Sequence, residues 1–302
     1  MNRTPRLATH GEIFTGLSSF YAEAAPAEAD ILLIDTHHRA TMANLEMYPN
    51  LRILVSPTTT DRHIDMSVCA NRDIKVITLK DCPEVLKEVT PAAEFTLALI
   101  LALTRNLVPS ANAVGMNEDP LPKWNRYDWG GERMASASDL GIIGNGRLGN
   151  MVADLARPMF RSVSLLPAPS AITDNARNTL PGLHVVSIHL PPQQNRRAIN
   201  GDFLGCLRPG TYLVNTSQSE VIDELAVVDA LRSKRLAGYA TDCYQGEFEG
   251  IPVTGSPIWK AMKEEEENIL MTPHIGGSTK DAWAMTQKAV LDRALEVWQK
   301  LP

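Results

Sequence analysis

The 302-residue sequence is poor in cysteine: Cys69, Cys82, Cys206 and Cys243 are scattered, and no Cys-x-x-Cys pair occurs. This spacing argues against a disulfide framework or a thiolate metal centre, so free thiols and no metal site are expected. Charge of one sign is not concentrated either. The net charge is −6 and there is no basic block, which argues against nucleic acid as a partner. Long apolar runs are missing as well: residues 95–103 (FTLALILAL) stop at Thr104-Arg105, short of a membrane span. The first residues, MNRTPRLATHGEIF, lack the apolar stretch of a secretory signal. A cytoplasmic protein without membrane or nucleic-acid partners is therefore expected. No internal repeat or low-complexity tract is visible.

What the chain does have is alternation. Short β-like runs recur at 29–35, 51–57, 74–79, 140–144, 162–166, 184–191, 211–217, 236–242 and 268–275. Helix-like runs lie between several of them, among them 91–106 and 224–235. Strands alternating with helices specify parallel sheets with right-handed crossovers. The runs fall into two groups, separated by a segment at 114–139 rich in Pro, Gly, Asn and Asp that reads as a connecting loop. The expected fold is α/β, with two Rossmann-like, doubly wound parallel-sheet domains and a cleft between them. Residues 1–107 with 276–302 would form the substrate domain, and 108–275 the dinucleotide-binding domain.

The stretch LGIIGNGRLGN (140–150) carries the chemistry of the second domain. Gly144 permits a tight turn out of the strand, Gly146 lets a pyrophosphate approach the backbone, and Gly149 lets the next helix pack on the sheet. The helix N-terminus then offers N–H groups and the positive end of its dipole. This Gly-x-Gly-x-x-Gly is informative because it leaves an apolar strand and opens the helix-like GNMVADLAR.

Five further stretches occur in a recognisable order: HIDMSVCANRDIKVITLK (63–80), TPAAEFTLALILALTR (90–105), CLRPGTYLVNTSQSEVIDELAVVDAL (206–231), LAGYATDCYQGE (236–247) and TPHIGGST (272–279). With the glycine loop they resemble the D-isomer-specific 2-hydroxyacid dehydrogenases, especially the 3-phosphoglycerate-dehydrogenase-like members. The resemblance implies hydride transfer between NAD or NADP and a 2-hydroxy or 2-oxo acid. It implies His274 as the proton-transfer group, Glu247 as the carboxylate that orients it, and Asp242 beside the nicotinamide amide. Imidazole suits the proton step because its unperturbed pKa is about 6.5. The cofactor contacts carried over are Gly144, Gly146, Arg147, Leu148, Gly149, Pro167, His189, Thr216, Asp242 and Gly276. Thr59, Thr60 and Arg62 fall in the substrate loop. Helix 91–103 and the loop with Trp124, Tyr127 and Trp129 resemble the family's dimer-forming region, so a homodimer acting on a small-molecule substrate is expected.

Two positions depart from that pattern. Gln218 stands where the family carries the arginine that clamps the substrate carboxylate; an amide has no charge and no guanidinium fork. Pro167 stands where an acid holds the ribose, and only Ser170 follows as a polar candidate. The segment 168–183 is also shorter than in relatives, which usually have another strand and helix there. Thr60 replaces a frequent glycine, and Arg62 is the candidate substitute cation. Two readings stay open: an oxidoreductase with altered or weakened activity, and a dehydrogenase-like protein that binds a nucleotide or metabolite as a regulator or scaffold.

Overall fold

The computed structural model describes residues 3–14, 21–115, 129–171, 173–264 and 268–301. The chain divides into two compact units, Met1–Val89 with Ser278–Pro302, and Thr90–Gly277. Each has its own all-parallel sheet.

The first unit contains β1 (Arg6–His10), β2 (Ala22–Glu23), β3 (Ile31–Ile34), β4 (Ile53–Ser56) and β5 (Lys75–Thr78), in the order β2-β1-β3-β4-β5. Both faces of the sheet are covered, as a parallel sheet requires. Leu32, Ile34 and Leu54 point to a cluster with Tyr48, Val68 and Ile74. The alternate residues Ile31, Leu33, Ile53 and Val55 pack with Leu291 and Trp298 of the C-terminal helix Lys280–Trp298. That helix starts at Thr279, whose hydroxyl accepts from Ala282 N. The sequence pattern did not reveal β1: Arg6, Thr9 and His10 break its apolar run, although it lies between β2 and β3.

The second unit contains β6 (Asp139–Ile143), β7 (Ser162–Leu166), β8 (Val185–Ile188), β9 (Thr211–Asn215), β10 (Leu236–Thr241) and β11 (Ile269–Met271). Their order is β11-β10-β9-β8-β6-β7. The winding direction reverses at β6, so the crevice at the carboxyl ends of β6 and β8 is the ligand position such sheets favour. Helix Pro91–Thr104 buries Ala93, Leu99, Ile100 and Leu103 against Val152 and Ala153 of helix Arg147–Ala156 and against Val214 and Ala240 of the sheet. The division therefore falls at 89/90 rather than at the 107/108 expected from sequence, because this apolar helix packs on the second sheet. Between β7 and β8 the described residues form 3-10 turns and one short helix, Asp174–Thr179, without a further strand. β7 is thus an edge of its sheet. Of the connecting loop, Trp124 and Tyr127 lie outside the described residues.

Candidate active site

β6 delivers the glycine loop. Gly144 has φ +109°, and a Cβ there would stand 2.2 Å from the His189 carbonyl oxygen. A Cβ on Gly149 would stand 2.0 Å from the Gly144 carbonyl oxygen. Both glycines are imposed by close backbone approach. Gly146 is different: a Cβ there would meet nothing within 4 Å. It is the N-cap of helix Arg147–Ala156, with no side chain capping the helix. An open face beside an uncapped helix N-terminus suits an anionic phosphate bridge, so these residues fit a dinucleotide. Arg147 and Leu148 form the first turn; the Arg147 guanidinium lies against Met151 Sδ at 3.3 Å.

Pro167 follows β7 directly and is half-buried, so no carboxylate occupies the end of that strand. His189, immediately after β8, turns its ring inward. Nε2 lies 2.8 Å from Ser187 Oγ, while burial lowers its pKa to about 4. Its Nδ1 is buried without a hydrogen-bond partner, and its carbonyl oxygen lies against Gly144.

The turn after β9 carries Thr216 and Gln218. The Thr216 hydroxyl is 2.6 Å from that of Thr96, a fully buried residue of helix Pro91–Thr104. Asn215 Oδ1 accepts from Ser217 N and Ser217 Oγ, fixing the turn. Gln218 opens the 3-10 turn Ser219–Val221, and its Oε1 is buried without a hydrogen-bond partner. An acceptor in that condition costs about 1–3 kcal/mol until a donor reaches it.

The turn after β10 carries Asp242 and Glu247. Asp242 Oδ1 accepts from Thr272 Oγ1 at 2.6 Å and Ile275 N at 2.9 Å, and Oδ2 accepts from Gly276 N at 2.6 Å. These bonds hold the loop on which His274 sits at φ +55°, a left-handed conformation unfavourable for a side-chain-bearing residue. Gly276 is close to Asp242 for the same reason: a Cβ would lie 2.8 Å from Oδ2.

Glu247 Oε1 is 2.7 Å from His274 Nδ1. The Glu247 carboxylate holds the His274 pKa above its ordinary value, outweighing the opposing effect of burial. Phe248 meets the imidazole edge-on, with ring centroids 5.8 Å apart. The other carboxylate oxygen, Glu247 Oε2, is buried without a partner.

Several supports of this pair carry no local sequence signal. Glu224, 4% exposed, accepts from Gln245 N at 2.8 Å and from Ser256 Oγ at 2.9 Å. Gln245 Nε2 donates to Ile222 O at 2.6 Å. These bonds anchor the chain two residues before Glu247. Cys243 joins the two turns, since its Sγ lies 3.3 Å from Ser217 O. An acid after Asp223 reads in sequence as an ordinary helix start, so only the fold reveals the buried role of Glu224.

The structure therefore brings Glu247 against His274, and Asp242 against Gly276 on the loop that carries His274. Thr59, Thr60 and Arg62 belong to the first unit, on the turn after β4. There Thr58 Oγ1 donates to Thr60 O at 3.0 Å, and Ser56 Oγ lies 3.0 Å from His63 Nε2. Thr59 is exposed, and Thr60 and Arg62 are half-buried. Among the described residues, no group of three or more His, Cys, Asp and Glu side chains could hold a metal ion.

Residues 97–276 match the family described as "D-isomer specific 2-hydroxyacid dehydrogenase, NAD binding domain". The D-3-phosphoglycerate dehydrogenase of Escherichia coli K12 is 33% identical over 227 residues, 72% of this chain and 52% of that protein. The glyoxylate reductase of Thermofilum pendens is 29% identical over 251 residues, covering 79% of this chain and 69% of that one. Among solved structures, the pyruvate reductase of Chlamydomonas reinhardtii superposes with a TM-score of 0.77 at 18% identity, over 99% of this chain and 98% of that one. At that identity the likeness is one of fold. The chain spans about half the length of the D-3-phosphoglycerate dehydrogenase it matches.

Proposed function

The chain belongs to the D-isomer-specific 2-hydroxyacid dehydrogenase family, and from that premise we propose that it is an NAD-dependent oxidoreductase acting on a small 2-hydroxy or 2-oxo acid. The observation that carries this reading is the hydrogen bond between Glu247 and His274. A protein that only binds a nucleotide has no need of an imidazole held in a strained backbone conformation with its pKa raised by a carboxylate.

Gly144, Gly146 and Gly149 would hold the dinucleotide backbone, and when bound the nicotinamide supplies or accepts the hydride. The rest is done by the chain. Glu247 accepts the Nδ1 proton of His274, which leaves Nε2 to carry the transferred proton. Asp242 fixes the loop that places the ring. Gln218 presents an uncharged amide, which can both accept and donate a hydrogen bond, where the family resemblance implies a guanidinium that clamps a carboxylate. Weak discrimination between NAD and NADP belongs to the same reading, because Pro167 brings no negative charge against a 2′-phosphate. So do a homodimer and a cytoplasmic location.

The test is direct. NADH and NADPH are titrated by fluorescence, and their oxidation is then followed with glyoxylate, hydroxypyruvate and larger 2-oxo acids carrying hydroxyl groups. Saturable cofactor binding and turnover of at least one oxoacid, abolished by His274→Ala, are expected. Cofactor binding with no turnover of any oxoacid favours a regulator or scaffold, the reading that the unpartnered Gln218 oxygen supports. Absence of binding by either cofactor at about millimolar concentration overturns the proposal.

A further inference from the structure

The amino ends of β6, β8 and β9 frame an open cavity of about 100 Å³. It lies at the opposite end of the sheet from the glycine loop and from Gln218. At ~3.3 Å per residue these strands of four and five residues separate the two ends by roughly 15 Å. All of the cavity's lining belongs to the second unit.

One wall is apolar: Leu101 from helix Pro91–Thr104, together with the buried Phe160 and Val185. The rest of the lining includes three arginines, Arg105, Arg133 and Arg208, and a single acid, Glu132. None of the three is ion-paired to a carboxylate among the described residues; Arg133 donates only to the Ala137 carbonyl, at 3.2 Å. Glu132 acts instead on Tyr212, whose pKa is raised chiefly by burial and then by that carboxylate. His184 completes the wall. Its Nδ1 accepts from Asp139 N at 3.1 Å, so Nε2 is the N–H donor of the neutral ring. Burial, then the charges of Arg133 and Arg208, lower its pKa, an independent sign that positive potential converges on this point. Asp139 Oδ2 lies 3.5 Å from His184 Nδ1 and its charge opposes that lowering without cancelling it, the same carboxylate being shared with Arg161 Nε at 2.8 Å and Ser162 Oγ at 2.7 Å.

We propose that this cavity is a second ligand site, taking a small organic anion whose carboxylate or phosphate head is held by Arg133, Arg208 and His184 while its apolar body lies on Leu101, Phe160 and Val185. Guanidinium groups bind both head groups in the same forked manner, and the apolar wall separates an organic anion from an inorganic one.

The experiment is calorimetric titration of the full chain with phenyl phosphate, benzoate, inorganic phosphate and benzyl alcohol. Saturable binding of phenyl phosphate or benzoate is expected, at least about tenfold tighter than that of inorganic phosphate or benzyl alcohol. Which of the two heads binds tighter identifies the natural head group. The double variant Arg133→Ala/Arg208→Ala should weaken it by about tenfold or more, and Gly146→Val, at the other end of the sheet, should leave it unchanged. If the double variant does not fold, as judged by its circular dichroism melt, Arg208→Gln decides, with a loss of at least about threefold expected. No saturation by about 10 mM, affinity untouched by the arginine changes, or affinity lost with Gly146→Val each overturns the site.

Discussion

Glu247 Oε1 accepts the Nδ1 proton of His274 across 2.7 Å. The carboxylate raises the His274 pKa. Reduction of a 2-oxo acid needs the ring protonated, so kcat/KM for reduction should hold to a higher pH than a free imidazole, pKa about 6.5, would allow, then fall as pH passes the raised value. Glu247→Gln removes the main cause of the shift, so the alkaline limb should move to lower pH, with kcat down by about a hundredfold or more. Identical limbs in the two proteins would show that Glu247 does not control the proton. The stability sign is the same: the bond's contribution is full below the ordinary imidazole pKa and is lost as pH rises through the raised one.

Gly146 and Gly149 should behave oppositely on substitution. A side chain at Gly146 projects into open space, so Gly146→Val should keep the melting temperature and abolish dinucleotide binding. At Gly149 a Cβ meets the Gly144 carbonyl at 2.0 Å, so Gly149→Ala should destabilise the fold by about 1–3 kcal/mol. Circular dichroism melts and NADH fluorescence titrations read both. Unchanged affinity in Gly146→Val would remove the phosphate cradle.

The contrast between those glycines shows what was legible in the sequence. The strand–loop–helix context of 140–150 identified the loop, and the order of motifs placed Glu247 and His274 as partners before any geometry was known. Local pattern reaches no further than its own element. β1, with Arg6, Thr9 and His10 in its five residues, had too little apolar periodicity to declare itself. The bonds from Asp242 to Ile275 and Gly276, from Glu224 to Gln245 and between Thr96 and Thr216 span 21 to 120 residues, so no local pattern encodes them. Helix Pro91–Thr104 was recognised, but its membership of the second unit depends on what its apolar face touches.

Pro167 gives a prediction about cofactor choice. With no acid at the end of β7, a 2′-phosphate meets no repulsion there, and NAD and NADP should bind within about tenfold of each other, about 1.4 kcal/mol. Pro167→Asp should shift the ratio toward NAD, through a hydrogen bond to the ribose hydroxyls and repulsion of the phosphate. Paired NADH and NADPH titrations of both proteins measure it. A wild-type preference for NAD beyond about a hundredfold would show that another group reads the ribose.

Gln218 gives the sharpest test. Its Oε1 is buried and unpartnered on a turn that Asn215 and Cys243 hold in place, so the site offers an uncharged amide where the family resemblance implies a cation. A simple 2-oxo acid such as glyoxylate presents a carboxylate and a carbonyl there and no donor, and wild-type turnover should be low. Gln218→Arg restores a forked donor without touching Glu247 or His274. It should raise kcat/KM on glyoxylate or hydroxypyruvate by about a hundredfold, equivalent to about 2.7 kcal/mol of transition-state stabilisation. Adding His274→Ala should erase the gain, which ties it to proton transfer rather than to tighter binding alone. High wild-type activity on simple oxoacids would assign the carboxylate to another cation, and Arg62→Ala would then have to destroy that activity. No gain in Gln218→Arg, in a protein shown to bind NADH, would mean that the substrate surface has diverged beyond one residue and that nucleotide binding without turnover describes the chain better.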